Sequence, residues 1–288
     1  MTPGASMRVT LLGTGSPPAR MDRFGPSTLI EAGGRCFLFD CGRGALQRLV
    51  QLKVAYADVN RLFLTHLHSD HVVGIPDLWL TGWIFGRTTP LRVWGPAGTE
   101  NLMRHLELAY EADIHIRRDL DERFPQAGID AIVSEFVEGV VYEEDGVRVT
   151  AFVVDHGPVA PAVGFRIDYE GRSVVLSGDT RYSTNLIEHA EGADLIVHEV
   201  CAPEMIRATS NRPPETTEQI INHHTTPEQA GTLFTQLQPR LAVLSHIVGP
   251  PGCEGEVLDG TRRTYQGPLE MGHDLMAIEV GDEITVTG

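Results

Sequence analysis

Thr65-His66-Leu67-His68-Ser69-Asp70-His71 is the stretch on which the reading of this chain turns. The apolar run at residues 61–65 leads into it and reads as a short strand. Side chains alternate along an extended backbone, so His66 and His68 point to the same side. A tight turn at Ser69 brings Asp70 and His71 round to a neighbouring point. One short loop thereby offers two ligands to each of two adjacent ions. Imidazole and carboxylate without thiolate suit zinc, with manganese or iron as alternatives. A surface loop that merely contains histidines is the competing explanation, and the rest of the chain argues against it.

On the N-terminal side, residues 7–12 read as a strand that stops at Gly13-Thr14-Gly15-Ser16-Pro17, a strong turn signal. Residues 28–31 and 36–40 flank Gly33-Gly34, a hairpin signature. Leu46, Leu49 and Val50 put a helical stripe on residues 44–53. Gly13 and Gly15 do not make a dinucleotide-binding loop, because the third glycine is missing and Pro17-Pro18 blocks the helix start.

On the C-terminal side, residues 77–85 and 97–111 read as helices and 91–94 as a strand. Residues 113–128 are charged and irregular, and an insertion or lid is expected over 111–128. Strands follow at 129–137, 147–155, 162–169, 173–177, 195–198, 241–245, 276–280 and 283–287. Helices are expected at 182–190 and 227–236. Strands dominate both halves, so two sheets packed face to face with helices outside would bury them on both sides. His156, Asp179 and His246 each sit at a strand end, where a sheet holds ligands rigidly. No linker or repeat interrupts residues 1–288, so a single domain is expected.

This ordered set resembles the metallo-β-lactamase superfamily: the HxHxDH run, then a later His, Asp and His. The resemblance spans roughly residues 7–247. It implies an α/β fold, a four-layer αββα sandwich, with a metal-dependent hydrolase at one edge of the two sheets. It implies that His66, His68 and His156 bind one ion, that Asp70, His71 and His246 bind a second, and that Asp179 bridges them. Asp40, in the first motif, is structural in that family and ties down the turn near the site. His198-Glu199 and His224 look like the ribonuclease Z and arylsulfatase branch. There such a histidine assists the leaving group, oriented by its acidic neighbour, so Asp70, His198, Glu199 and His224 are the expected catalytic residues. Thr226 and Pro227 also suit a helix start, a structural alternative for that segment. His223 is read as incidental.

Composition bounds the partners. The formal net charge is −16, there is one lysine, Lys53, and no basic run. Gripping a long polyanion takes positive charge, so a small-molecule substrate is expected and a long nucleic acid is not. Asp179 follows His156 by 23 positions, too few for the tRNA-clamping arm of ribonuclease Z. Cys36, Cys41, Cys201 and Cys253 show no CxxC spacing and read as reduced thiols. Residues 1–7 lack a secretory pattern and no apolar stretch reaches bilayer length. A cytoplasmic protein without membrane contact is therefore expected, and a homodimer by resemblance.

The expected chemistry is hydrolysis of a small ester, a phosphodiester or aryl sulfate, by a metal-activated water. Alternatives are a carbonyl substrate such as a lactone or cyclic amide, tRNA 3′-end cleavage, and a metal-bound protein without catalysis. A redox role with iron needs a second electron-transfer domain that this chain lacks. Trp79 and Trp83 share a helix face and read as core, with an apolar wall for an aromatic substrate as the sharper alternative. Arg117 and Arg118, in the expected lid, read as solvated charge.

Overall fold

The computed structural model describes residues 6–288; residues 1–5, most of the stretch that lacks a secretory pattern, lie outside them. The strands are β1 Met7–Gly13, β2 Ser27–Ala32, β3 Arg35–Phe39, β4 Arg61–Phe63, β5 Leu91–Pro96, β6 Ala131–Phe136, β7 Gly139–Glu144, β8 Val147–Val153, β9 Val163–Tyr169, β10 Arg172–Leu176, β11 Leu195–Cys201, β12 Leu241–Val248, β13 Leu269–Met271, β14 Ala277–Val280 and β15 Ile284–Thr287. One sheet has the order β15-β14-β1-β2-β3-β4-β5-β6 and the other β13-β12-β11-β10-β9-β8-β7. The β2–β3 hairpin turns on Gly33 and Gly34, both at positive φ (57° and 70°), a conformation that favours glycine.

Period-2 alternation sorts each strand between two cores. Phe37, Phe63 and Trp94 of the first sheet meet Val149, Phe165 and Val243 of the second. Phe63 and Trp94 stack with centroids 4.7 Å apart. The alternate residues Leu38, Leu62 and Val93 face helices Ala45–Gln51, Ile75–Ile84 and Thr99–Ala109. On the other side, Ala242 and Leu244 lie beneath Thr184–Ala190, Pro227–Leu237 and Glu254–Arg262. The result is the expected helix–sheet–sheet–helix sandwich. Strands β3, β4 and β5 run parallel, as do β10, β11 and β12, so their C-terminal ends gather at one edge of each sheet.

Several elements differ from the sequence expectation. Residues 111–120 and 126–129 are helical rather than irregular, as Glu111–His115, a π-helical turn at Ile116–Leu120 and Gln126–Ile129, with residues 121–125 irregular between them. Each piece is too short to carry a readable apolar stripe. Arg117 pairs with Asp113 at 3.0 Å and Glu122 at 2.7 Å, and Arg118 with Asp119 at 2.7 Å. Helices Pro203–Thr209 and Pro214–Ile221 and strand β7 were also not expected, although both helices begin with proline, an N1 signal. Among the described residues no helix is long and apolar enough to cross a membrane, and all four cysteines are unpaired.

Trp79 and Trp83 are each 1% exposed. Their indole N–H groups donate to the carbonyls of Ile129 at 2.8 Å and Pro125 at 3.0 Å. They are core residues that fasten residues 125–129 to the preceding helix. Trp83→Ala is therefore expected to lower unfolding free energy by about 3–5 kcal/mol, read by chemical denaturation. A loss below about 1 kcal/mol would contradict the core role.

Candidate metal centre

His68 is extended (φ −61°, ψ 145°), and the one-turn helix Ser69–Val72 follows at once. That is the turn expected at Ser69. It separates the loop's side chains into two groups. His66, His68, His156 and Asp179 offer ligand atoms within 4.8 Å of one another, and so do Asp70, His71 and His246. His156 arrives from just beyond β8. Asp179 follows β10, after Gly178 at φ +60°, where a Cβ would lie 2.4 Å from the Val163 carbonyl oxygen. His246 lies within β12 at a break in the β11–β12 register, with φ +41°. Such a bulge re-aims one side chain out of the alternation.

Asp179 stands between the groups. Its Oδ2 lies 3.8 Å from Nε2 of both His66 and His156 and 3.4 Å from His246 Nε2, and its Oδ1 lies 3.4 Å from His71 Nε2. His68 Nδ1 is 3.3 Å from His156 Nε2, and His246 Nε2 is 3.4 Å from Asp70 Oδ2. Ligands about 2.1 Å from a shared tetrahedral zinc stand about 3.4 Å apart, so these separations fit. His66 Nε2 and Asp179 Oδ1 are buried with no hydrogen-bond partner among the described residues, a cost that a cation removes. The donor set can therefore hold metal.

The ring nitrogens facing away are held in turn. His71 Nδ1 donates to Asp40 Oδ2 at 2.7 Å, and Asp40 also accepts from the Thr65 amide and hydroxyl at 2.9 and 2.8 Å. His66 Nδ1 lies 3.0 Å from the Thr65 hydroxyl. His156 Nδ1 donates to the His223 carbonyl at 2.9 Å, so His223 contributes through its backbone. Such outer partners fix tautomer and ring orientation. Burial pushes His66, His68 and His156 below the ordinary imidazole range, toward the neutral form that binds metal. For His71, burial acts the same way but Asp179 and Asp40 outweigh it and raise it well above that range. Asp179 is held well below the carboxylate range: burial opposes this, and His246 and His71 prevail.

The branch residues separate in space. His224 lines the cleft that holds the clusters, and its Nδ1 donates to Glu199 Oε1 at 3.2 Å. A ring nitrogen of His224 lies within 4.8 Å of ligand atoms of Asp179 and His246. The same Glu199 oxygen accepts from the amides of Thr180 at 2.9 Å and Thr225 at 3.2 Å. His198, next in the strand, points the other way. Its ring is fully buried beside Phe234 beneath the helix Pro227–Leu237, and it does not line the cleft. The cleft measures about 810 Å³ and extends past Arg20, Arg212, Ile206, Ile220 and Val248. Neither Arg117 nor Arg118 lines it.

A family model described as "Anti-Pycsar protein Apyc1" matches residues 7–225. A protein named Ribonuclease Z from Mycobacterium avium (strain 104) is 40% identical over 281 residues, covering 95% of this chain and 98% of that one. The chain belongs to the family of that model, in the ribonuclease Z-like branch of the metallo-β-lactamase superfamily. Solved structures share the fold of the superfamily. The metallo-β-lactamase fold protein YhfI from Bacillus subtilis superposes with a TM-score of 0.74 at 18% identity, over 95% of this chain and 99% of that one. Human tRNase Z, short form, gives 0.70 at 22% identity, over 94% and 98%. A metal-dependent hydrolase is thereby established in outline.

Membership of the ribonuclease Z-like branch overturns the expectation that no long nucleic acid is a partner, since relatives in it are ribonucleases by name. Net charge sums the whole surface, whereas binding follows the local field. Among the described residues, no acidic residue apart from Asp70 and Asp179 lines the cleft, and Arg20 and Arg212 do. The short spacing of His156 and Asp179 does not set the chain apart either. With 98% of the Mycobacterium avium protein aligned, that relative has little room for an extra arm.

One positioning residue escaped the sequence reading. Asp274, with its side chain 4% exposed, accepts from the Thr14 amide and hydroxyl at 3.0 and 2.8 Å and from the Phe24 amide at 2.7 Å. It also pairs with Arg48 at 2.7 Å. It thus clamps both ends of the loop that carries Arg20 to the cleft. No local signal marks it, because its partners lie more than 220 positions away. Asp274→Ala is expected to cost about 1–3 kcal/mol, since the Thr14 and Phe24 amides and the partly buried Arg48 lose their acceptor, while bound metal is retained. Denaturation and metal analysis check both halves.

Proposed function

We propose that this chain hydrolyses phosphodiester bonds, the ends of RNA chains among them, with a water activated at a pair of zinc ions. The observation that carries the reading is His224, tied to Glu199 and standing beside both ligand clusters on the cleft. His66, His68 and His156 would hold one ion and Asp70, His71 and His246 the other, with Asp179 shared. The chemistry supplied there is a lowered water pKa and neutralisation of charge on the phosphoryl oxygens. Asp40, Thr65 and the His223 carbonyl keep the imidazoles aimed. Asp70 also orients the attacking water. His224, its Nδ1 on Glu199, carries a proton on Nε2 for the departing oxygen, and Glu199 stabilises the imidazolium. In this reading the acid role falls to His224 rather than His198, whose ring lies on the far side of β11.

The cleft volume is in the range that encloses a small ligand, about 300–1,000 Å³. Both a small phosphodiester and the end of a longer chain suit it, and a homodimer is part of the reading by resemblance. The test is metal analysis of the pure protein, then a panel of bis-p-nitrophenyl phosphate, a tRNA precursor with a 3′ trailer, p-nitrophenyl sulfate and a lactone. Metal-dependent turnover of either phosphodiester supports the proposal. Turnover of the sulfate or lactone alone would overturn it.

A further inference from the structure

The cleft continues beyond the groups that act on the scissile bond, and it holds two arginines in very different states. Arg20 is spoken for: its guanidinium pairs with Asp22, with Nε to Oδ1 at 3.0 Å, and Glu254 lies 4.0 Å away. Arg212 is exposed, and among the described residues no carboxylate lies within 4.0 Å of it. In a chain of net charge −16, Arg212 is an arginine without an acidic partner in a cleft where, among the described residues, the only carboxylates belong to the ligand clusters, a setting that favours an anion.

The segment that carries Arg212 is braced. It joins the helices Pro203–Thr209 and Pro214–Ile221, which Arg207 and Glu218 tie together at 2.6 Å. The Arg212 amide donates to the Ser210 hydroxyl at 3.2 Å, and that hydroxyl bonds Thr217 Oγ1 at 2.8 Å. Pro213 and Pro214 follow directly and restrict the backbone. A guanidinium held on such a loop loses less freedom when it meets phosphate, for which its fork geometry is suited.

We propose that Arg212 binds a second phosphate of the substrate, so that a phosphodiester flanked by another phosphate is preferred over an isolated one. The inference rests on the phosphodiesterase reading and adds to it a specificity-determining residue. It assigns Arg212 to recognition and not to the chemical step.

The experiment compares the zinc-loaded parent with Arg212→Ala and Arg212→Lys on uridylyl-uridine and on the same dinucleotide carrying an extra 5′- or 3′-terminal phosphate. In the parent, one terminal phosphate should lower KM about tenfold with kcat unchanged. Arg212→Ala should erase that preference, and Arg212→Lys should keep part of it. Binding of a fluorescent phosphorothioate oligonucleotide supplies a readout without turnover. The slope of log K against log salt should flatten by about 0.7 in Arg212→Ala, the value for one single-strand phosphate contact. An unchanged slope and an unchanged KM ratio in Arg212→Ala would overturn this inference alone. Failure of the parent to hydrolyse either these dinucleotides or bis-p-nitrophenyl phosphate would overturn the underlying reading with it.

Discussion

Asp179→Ala should abolish turnover and reduce bound metal from about two ions per chain to one or fewer. Asp179 is 3% exposed and supplies the carboxylate common to both ligand groups, within 3.4–3.8 Å of four imidazole nitrogens. Without it, both groups lose negative charge and keep only imidazoles plus Asp70. The loss in kcat/KM should exceed about 10³-fold, beyond the 10–100-fold typical of removing an outer partner. Asp40→Ala provides that comparison, because Asp40 touches His71 only through Nδ1. Elemental analysis beside steady-state kinetics reads both quantities. Near-parental turnover in a metal-depleted Asp179→Ala protein would refute the metal-dependent scheme.

The second large effect is expected at His224. Burial works against its charged ring, and the Glu199 carboxylate outweighs burial and lifts it to about 9. Cations held at the neighbouring clusters would draw it back toward neutrality. The protonated ring prevails below that pKa, so acid-assisted turnover should fall as pH rises through it. His224→Gln should lose about 10²- to 10⁴-fold in kcat on an RNA leaving group, together with that alkaline limb. With p-nitrophenolate departing, which needs no proton at neutral pH, the same variant should lose far less. Equal losses on both leaving groups would exclude the proton-donor role. His198→Gln should instead affect stability, because its ring packs against Phe234 away from the cleft.

The His198–Glu199 pair shows where sequence reading reached its limit. Both residues lie on β11, where Leu195 and Val197 face the inter-sheet core. Alternation puts Glu199 on that face and His198 on the opposite one, so both cannot serve the same site. The rule is present in the sequence, but the apolar run marks the strand only as far as residue 198. The strand in fact runs to Cys201. The HxHxDH loop was legible because its ligands are neighbours in the chain and one local turn arranges them. His156, Asp179 and His246 were legible as candidates because each comes at the end of a strongly apolar run, although His246 in fact lies within β12 at its bulge. The helices Pro203–Thr209 and Pro214–Ile221, with Arg212 between them, lacked a stripe long enough to read.

Local patterns thus determined most of the strands, the hairpin at Gly33-Gly34, the packing of two sheets between helices and the HxHxDH loop, while the family resemblance supplied the assignment of His156, Asp179 and His246 to the ligand clusters. Periodicity and turn chemistry act over a few residues and are written directly in the chain. Only the tertiary structure decided that His224 and not His198 faces the cleft, that Asp274 clamps the loop at residues 14–24, and that Arg212 stands there without an acidic partner. Those outcomes depend on residues far apart in the chain, and they exist only once the two sheets have closed on each other.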